Sequence, residues 1–154
     1  MKVIDIMTRG IEGIQASDMV QHAAVRMKDL DIGCLAVFDH DRLVGMITDR
    51  DLVVRAMATS LNPAHSSIGE IMSKDPVVCD QDCDVTEAIK RMENHKVRRI
   101  LAMNSAGQVT GILTFNDAVM KSSAKSELGI ERKIKQRTGP RRKETPLSKL
   151  RNAA

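Results

Sequence analysis

Gly45-Met46-Ile47-Thr48-Asp49-Arg50-Asp51 and Gly111-Ile112-Leu113-Thr114-Phe115-Asn116-Asp117 are one phrase written twice. In each, a short apolar run ends at a threonine and a carboxylate follows three residues later, the pattern of a strand running into the first turn of a helix. Such a junction gathers a hydroxyl, a carboxylate and free helix amides. That set suits a phosphorylated ribose, because the carboxylate accepts from vicinal hydroxyls while the hydroxyl and amides face an anion. Threonine and aspartate are also ordinary helix caps, so the phrase by itself leaves both readings open.

The repetition extends outward from this phrase. An offset of 65 pairs Ile6-Met7 with Ile71-Met72, Val20 with Val85, Ala23 with Ala88 and Arg26-Met27 with Arg91-Met92. After residue 39 the offset becomes 66, pairing Gly45 with Gly111, Thr48 with Thr114, Asp51 with Asp117, Val53 with Val119 and Ala58 with Ala124. The extra residue falls where Asp39-His40-Asp41-Arg42 faces Asn104-Ser105-Ala106-Gly107-Gln108, a polar cluster of the kind that turns a hairpin and tolerates insertion.

Each copy reads helix, strand, turn, strand, helix. Val20, Ala23, Ala24, Met27 and Leu30 recur at helical spacing behind Ser17 or Asp18 as cap; Val85, Ala88, Ile89 and Met92 repeat this, with Asp84 and Glu87 as a capping box. Apolar runs at residues 34–38, 43–48, 100–103 and 109–114 have strand length. Second helices are expected near residues 50–59 and 116–125. The fold class is α/β, with one unit at residues 1–60 and another at 61–125. A unit of this size buries too little apolar surface alone, so the copies are expected to pack sheet to sheet about a pseudo-two-fold axis, leaving two similar clefts between them.

The order Ile-Met-Thr or Ser, a Met-ending helix, two short strands and then Gly-hydrophobic-hydrophobic-Thr-x-x-Asp, given twice, resembles a tandem pair of CBS domains, a Bateman module, over residues 3 to about 125. Thr48 to Asp51 matches the Thr-Asp-Arg-Asp signature of small stand-alone members. The resemblance implies a regulatory module that binds AMP, ADP, ATP, S-adenosylmethionine or NAD as a regulatory ligand, with no obligatory cofactor, and that assembles as a disc-shaped homodimer. It also implies that Asp51 and Asp117 hold ribose hydroxyls, that Thr48 and Thr114 face phosphate, and that the backbone of Val78 reads adenine. The family's usual strand proline is replaced by Ala36 and Leu101, a departure that bears on packing.

The copies differ in charge where Arg98 and Arg99 stand against Gly33 and Cys34. Adjacent strand residues point to opposite faces, so at most one arginine faces a given cleft, where it can donate to phosphate oxygens. The competing reading is a surface ion pair with Glu93 or Asp82. Arg50 has the same two options, with Asp49 or Asp51 as its partner. The clefts are therefore expected to fill unequally, the more cationic one preferring the more phosphorylated ligand.

No Gly-x-Ser-x-Gly, Walker loop, His-Glu-x-x-His or cysteine nucleophile context occurs, and His22, His40, His65 and His95 are scattered. The chain does not read as an enzyme. Cys34, Cys79 and Cys83 follow no disulfide framework; Cys79 and Cys83 with His95 would be half a zinc site lacking a second close pair, so they read better as buried fillers. No apolar run approaches the roughly 18 residues that cross a bilayer, and Asp5 interrupts the N-terminus, so a cytoplasmic location without membrane contact is expected.

Residues 126–154 carry nine Lys or Arg against Glu127, Glu131 and Glu144, a net +6, which leaves −2 for the first 125 residues. This basic tail reads as flexible and solvated, with a short helix conceivable only at residues 127–136. The sharper options are an acidic partner or nucleic-acid phosphates. With no Trp or Tyr and only Phe38 and Phe115, no stacking platform for single strands exists.

Overall fold

A computed structural model of the chain describes residues 1–123. The end of the second copy's last helix at 124–125, the basic tail and its conceivable helix lie outside the described residues. Among those described, eight strands form: β1 (Thr8–Arg9), β2 (Gly13–Gln15), β3 (Cys34–Asp39), β4 (Arg42–Thr48), β5 (Ser73–Lys74), β6 (Val78–Asp80), β7 (Arg99–Met103) and β8 (Val109–Thr114). The α-helices are α1 (Val20–Leu30), α2 (Asp49–Asp51), α3 (Ile68–Ile71), α4 (Val85–Asn94) and α5 (Phe115–Ser123). The short α2 runs on as a π-helical segment (Leu52–Ala56) and a 3-10 turn (Met57–Thr59).

The strands assemble into two sheets, ordered β2-β3-β4-β5 and β1-β8-β7-β6. The architecture is thus α/β with two repeated units, as the duplication implies. The leading strand of each copy completes the other copy's sheet: β1 pairs antiparallel with β8, Thr8 opposite Ile112 and Arg9 opposite Gly111, while β5 pairs with β4, Ser73 opposite Met46 and Lys74 opposite Gly45. These are matching positions under the sequence offsets, so the exchange is itself duplicated. A boundary at residues 60 and 61 follows the repeat along the sequence, and the sheets cross it.

The halves agree in detail. Register shifts fall at Val37/Phe38 and at Ala102/Met103, matching places on β3 and β7. One hairpin turns through His40 and Asp41; the other turns through Asn104 to Gln108, where Asn104 Oδ1 accepts from the Ala106 and Gln108 amides at 3.0 and 2.9 Å. The length difference between the copies therefore sits in the hairpin.

Two helix starts differ from the sequence reading. Neither Ser17 nor Asp18 caps α1: the N-cap is Met19 without a side-chain bond, and Asp18 accepts instead from the Gln15 amide through Oδ2 and from the Ile68 amide through its carbonyl. Asp84 does cap α4, accepting from the Thr86 amide at 2.8 Å, and its carboxyl is held down to about 2, first by that bond. Glu87 does not complete a box, because Arg91 one turn later takes its Oε1 at 2.8 Å.

Every buried side chain among the described residues is apolar. One cluster fills the second unit around Met92, Ile100 and Leu113 and takes in Val3, Ile6 and Met7 from the crossing N-terminal segment. Another fills the first around Leu35, Val37 and Ile47 and takes in Ile68 and Ile71. A third, smaller cluster joins the sheets: Met46 of β4 with Leu101 of β7 and Ile112 of β8, flanked by half-buried Ile11, Cys34, Leu43, Val78 and Val109. No described helix is long and apolar enough to cross a membrane.

Candidate functional site: the duplicated strand-to-helix junctions

Both copies end their last strand beside the first residue of the preceding one, Thr48 opposite Cys34 and Thr114 opposite Arg99. The chain then turns into a helix under a backbone bond across the junction, Asp49 N to Gly33 O at 3.1 Å and Phe115 N to Arg98 O at 2.9 Å. The threonine hydroxyls accept from the amides of Asp51 and Asp117 at 3.2 and 3.1 Å. Both carboxylates reach back, so that Thr48 Oγ1 donates to Asp51 Oδ2 at 2.8 Å and Thr114 Oγ1 donates to Asp117 Oδ2 at 2.6 Å. Capping is therefore realised at both junctions. It does not exhaust the carboxylates, since an ionised carboxyl offers about four lone-pair positions and these bonds use one oxygen of each.

Asp51 is more heavily engaged than Asp117. Its Oδ2 also accepts from the Thr48 amide at 2.9 Å, and its Oδ1 lies 3.5 Å from Arg55 Nε. The sequence pattern offers Arg50 as partner to Asp49 or Asp51; the guanidinium that pairs with Asp51 is Arg55, one helical turn on. Arg50 is exposed, its amide donates to Asp49 Oδ1 at 2.8 Å, and its side chain forms no ion pair with a described residue. Arg55 was legible as an i,i+4 partner of Asp51, and the offset of 66 places Lys121 at the matching point of the second copy.

Of the two adjacent arginines, Arg98 is exposed in the bend that precedes β7, and Arg99, the first residue of β7, is half-buried. Neither forms an ion pair with a described residue, and Asp82 is held by Lys2 at 2.8 Å. Burial pushes the Cys34 thiol pKa up, with the positive charge of Arg99 working against it. Val78 packs into the cluster joining the sheets, and its carbonyl accepts from Arg91 Nη1 at 3.2 Å.

Burial and the neighbouring Cys83 push the Cys79 thiol up to about 12, and burial also raises Cys83. Both remain neutral thiols at pH 7, unsuited to nucleophilic attack. Among the described residues no three His, Cys, Asp or Glu side chains converge on a point that would hold a metal ion. Two open concavities, of about 590 and 410 Å³, lie along α1 and β2 of the first unit, meeting at Arg26. Neither is lined by the matched threonines or aspartates, so these hollows are separate from the junctions, which we take as the site on chemical grounds.

A duplicated sheet-and-helix unit with exchanged leading strands and a capped Thr-x-x-Asp junction in each half defines a CBS pair. The CBS domain profile matches residues 3–57 and 68–123, and the chain belongs to that family. It is 35% identical to YlbB of Bacillus subtilis over 130 residues, covering 83% of this chain and 86% of that protein. It is likewise 35% identical to hypoxic response protein 1 of Mycobacterium tuberculosis over 114 residues, 73% of this chain and 79% of that one. The crystal structure of hypoxic response protein I, described as having two coordinated zinc ions, superposes with a TM-score of 0.67, covering 78% of this chain and 98% of that one. The CBS domain protein PAE2072 of Pyrobaculum aerophilum, complexed with AMP, shares the fold with a TM-score of 0.70 at 19% identity, over 82% of this chain and all of that one.

Proposed function

We propose that the chain is a non-catalytic regulatory module that senses an adenosyl nucleotide, AMP, ADP, ATP or S-adenosylmethionine, in the clefts between its two CBS units. The observation that carries this reading is the duplicated junction, in which a half-buried carboxylate is held by its cap with acceptor capacity to spare. In the second copy, a half-buried arginine without an ion pair to a described residue stands opposite the junction threonine. Asp51 and Asp117 would take ribose hydroxyls, Thr48 and Thr114 would face phosphate with Arg99 and Arg50 as candidate cations, and Val78 would line the base. The AMP complex of the Pyrobaculum aerophilum protein supports the choice of ligand class. Three free thiols fit a cytoplasmic setting.

The test is a thermal melt with AMP, ATP or S-adenosylmethionine. At a hundredfold excess over Kd a ligand bound only by the folded state adds about 2.7 kcal/mol, a plain rise in Tm that Asp117→Ala should shrink and Asp51→Ala with Asp117→Ala together should abolish. No rise with any of the three would favour the other reading, a ligandless scaffold in which Thr and Asp serve only as caps.

The module is also proposed to act as a homodimer. Val53, Val54, Met57 and Met120 are exposed at 55, 48, 73 and 72%, and Val54 and Met120 occupy matching points of the two repeats. Exposed apolar residues on symmetry-related helices suit a self-complementary face. Sedimentation equilibrium should give a dimer for the wild type and a monomer for Met57→Glu; a wild-type monomer at all concentrations would exclude it. The basic tail, with its acidic-partner and nucleic-acid options, lies outside the described residues.

A further inference from the structure

The two copies treat their matched carboxylates differently, and the difference traces to one side chain. Arg55 and Lys121 hold equivalent positions and act alike in one respect, each tying its helix to the segment that crosses to the other sheet. Arg55 Nη1 donates to the Ile71 carbonyl and Lys121 Nζ donates to the Ile6 carbonyl, both at 2.9 Å. A guanidinium is a fork of several donors, so Arg55 can serve that carbonyl with Nη1 and still lay Nε 3.5 Å from Asp51 Oδ1. An ammonium carries its three donors on one nitrogen, so all of them act from the single point where that atom is seated. With that nitrogen seated on Ile6 O, Lys121 forms no ion pair with Asp117, and no other described cation does either.

Asp51 is consequently engaged on both oxygens, by Thr48 through Oδ2 and by Arg55 through Oδ1, whereas Asp117 is engaged by Thr114 through Oδ2. A carboxylate already facing a guanidinium is a poorer acceptor for a diol, because the ligand must displace the cation or share its partner. The second copy places its cation elsewhere: Arg99 stands opposite Thr114, while the matching partner of Thr48 is the neutral Cys34.

We propose that Arg55 is a specificity-determining residue that occupies the first copy's carboxylate from within, so that a ribose diol is taken at Asp117 in preference to Asp51. This rests on the nucleotide reading above. The first cleft is held back by an internal competitor, and the reciprocal exchange of two residues should transfer that competitor between copies.

The experiment is calorimetric titration of AMP into the full chain and four variants. The wild type should show a tight and a weak phase, the tight one lost in Asp117→Ala and the weak one lost in Asp51→Ala. Arg55→Lys copies the second half's own residue, which can still reach the crossing carbonyl, and should tighten the weak phase about fivefold, the scale of a partly exposed ion pair. Lys121→Arg should weaken the tight phase by a similar factor. Equal phases in the wild type, loss of the tight phase in Asp51→Ala, or an Arg55→Lys chain that binds AMP as the wild type does would each overturn the role of Arg55 while leaving the nucleotide reading intact. Absence of AMP binding in every chain would remove the nucleotide reading and this inference together.

Discussion

Leu101→Ala is expected to lower the stability of the chain by about 2–5 kcal/mol, the range for deleting a fully buried leucine side chain. Leu101 is fully buried and lies in the small cluster that joins the two sheets, with Met46 and Ile112 as its buried companions. Each half has its own larger core, so a cavity at the junction strikes the only cluster among the described residues whose buried members come from both sheets. The matching residue of the first copy, Ala36, is also fully buried. The departure from the family's strand proline thus puts a large side chain in one half and a small one in the other. Urea denaturation should show the loss as a lower midpoint, and the transition should broaden if the halves begin to unfold separately. A cost below about 1 kcal/mol, with the transition unchanged, would mean that the crossing strands rather than junction packing hold the units together.

The duplication, the long strands and the helices were legible because their signals are local and long enough to show a period. α1, α4 and the hairpins of β3 with β4 and β7 with β8 fall where periodicity and turn residues put them. The short strands β1, β2, β5 and β6 were not, since two or three residues carry no alternation and β1 and β5 find their partners in the other copy. The cap of α1 was misplaced for a related reason. Asp18 is a good local capper, but its carbonyl is drawn to the Ile68 amide and Met19 bridges Ser67, contacts across about fifty residues that no local pattern contains. At the candidate site the Thr and Asp spacing was readable because capping is local, whereas the alternation expected of Arg98 and Arg99 does not apply, because β7 begins at Arg99 and Arg98 sits in the bend before it. Which cation meets Asp51 was decided by the helix continuing to Arg55, and what faces the junction from the opposite half depended on an assembly that the sequence specifies only through pairs distant along the chain.

Gly111→Ala and Gly45→Ala should each cost about 1–3 kcal/mol, as overpacking against an unyielding neighbour does. A Cβ on Gly111 would stand 2.5 Å from the Thr8 carbonyl oxygen and 2.8 Å from Met7 Sδ; on Gly45 it would stand 2.7 Å from the Ser73 carbonyl oxygen and 2.6 Å from Met72 Sδ. The methionines can swing aside, but the backbone oxygens belong to β1 and β5 and move only if those strands move. The first residue of the duplicated phrase is therefore glycine because the other copy's leading strand passes directly over it. Since that strand is what must yield, the loss should be concentrated there: in Gly111→Ala, hydrogen exchange at Thr8 and Arg9 should accelerate well beyond that at Leu101 and Leu113, which lie in the sheet interior. Uniform acceleration across β7 and β8 would instead mean that the crossing strand and the sheet unfold as one unit. The phrase then divides by cause, its glycine fixed by the strand exchange and its threonine and aspartate by the cap. A Gly111→Ala chain that keeps its nucleotide response while losing protection at β1 would separate these two causes in a single protein.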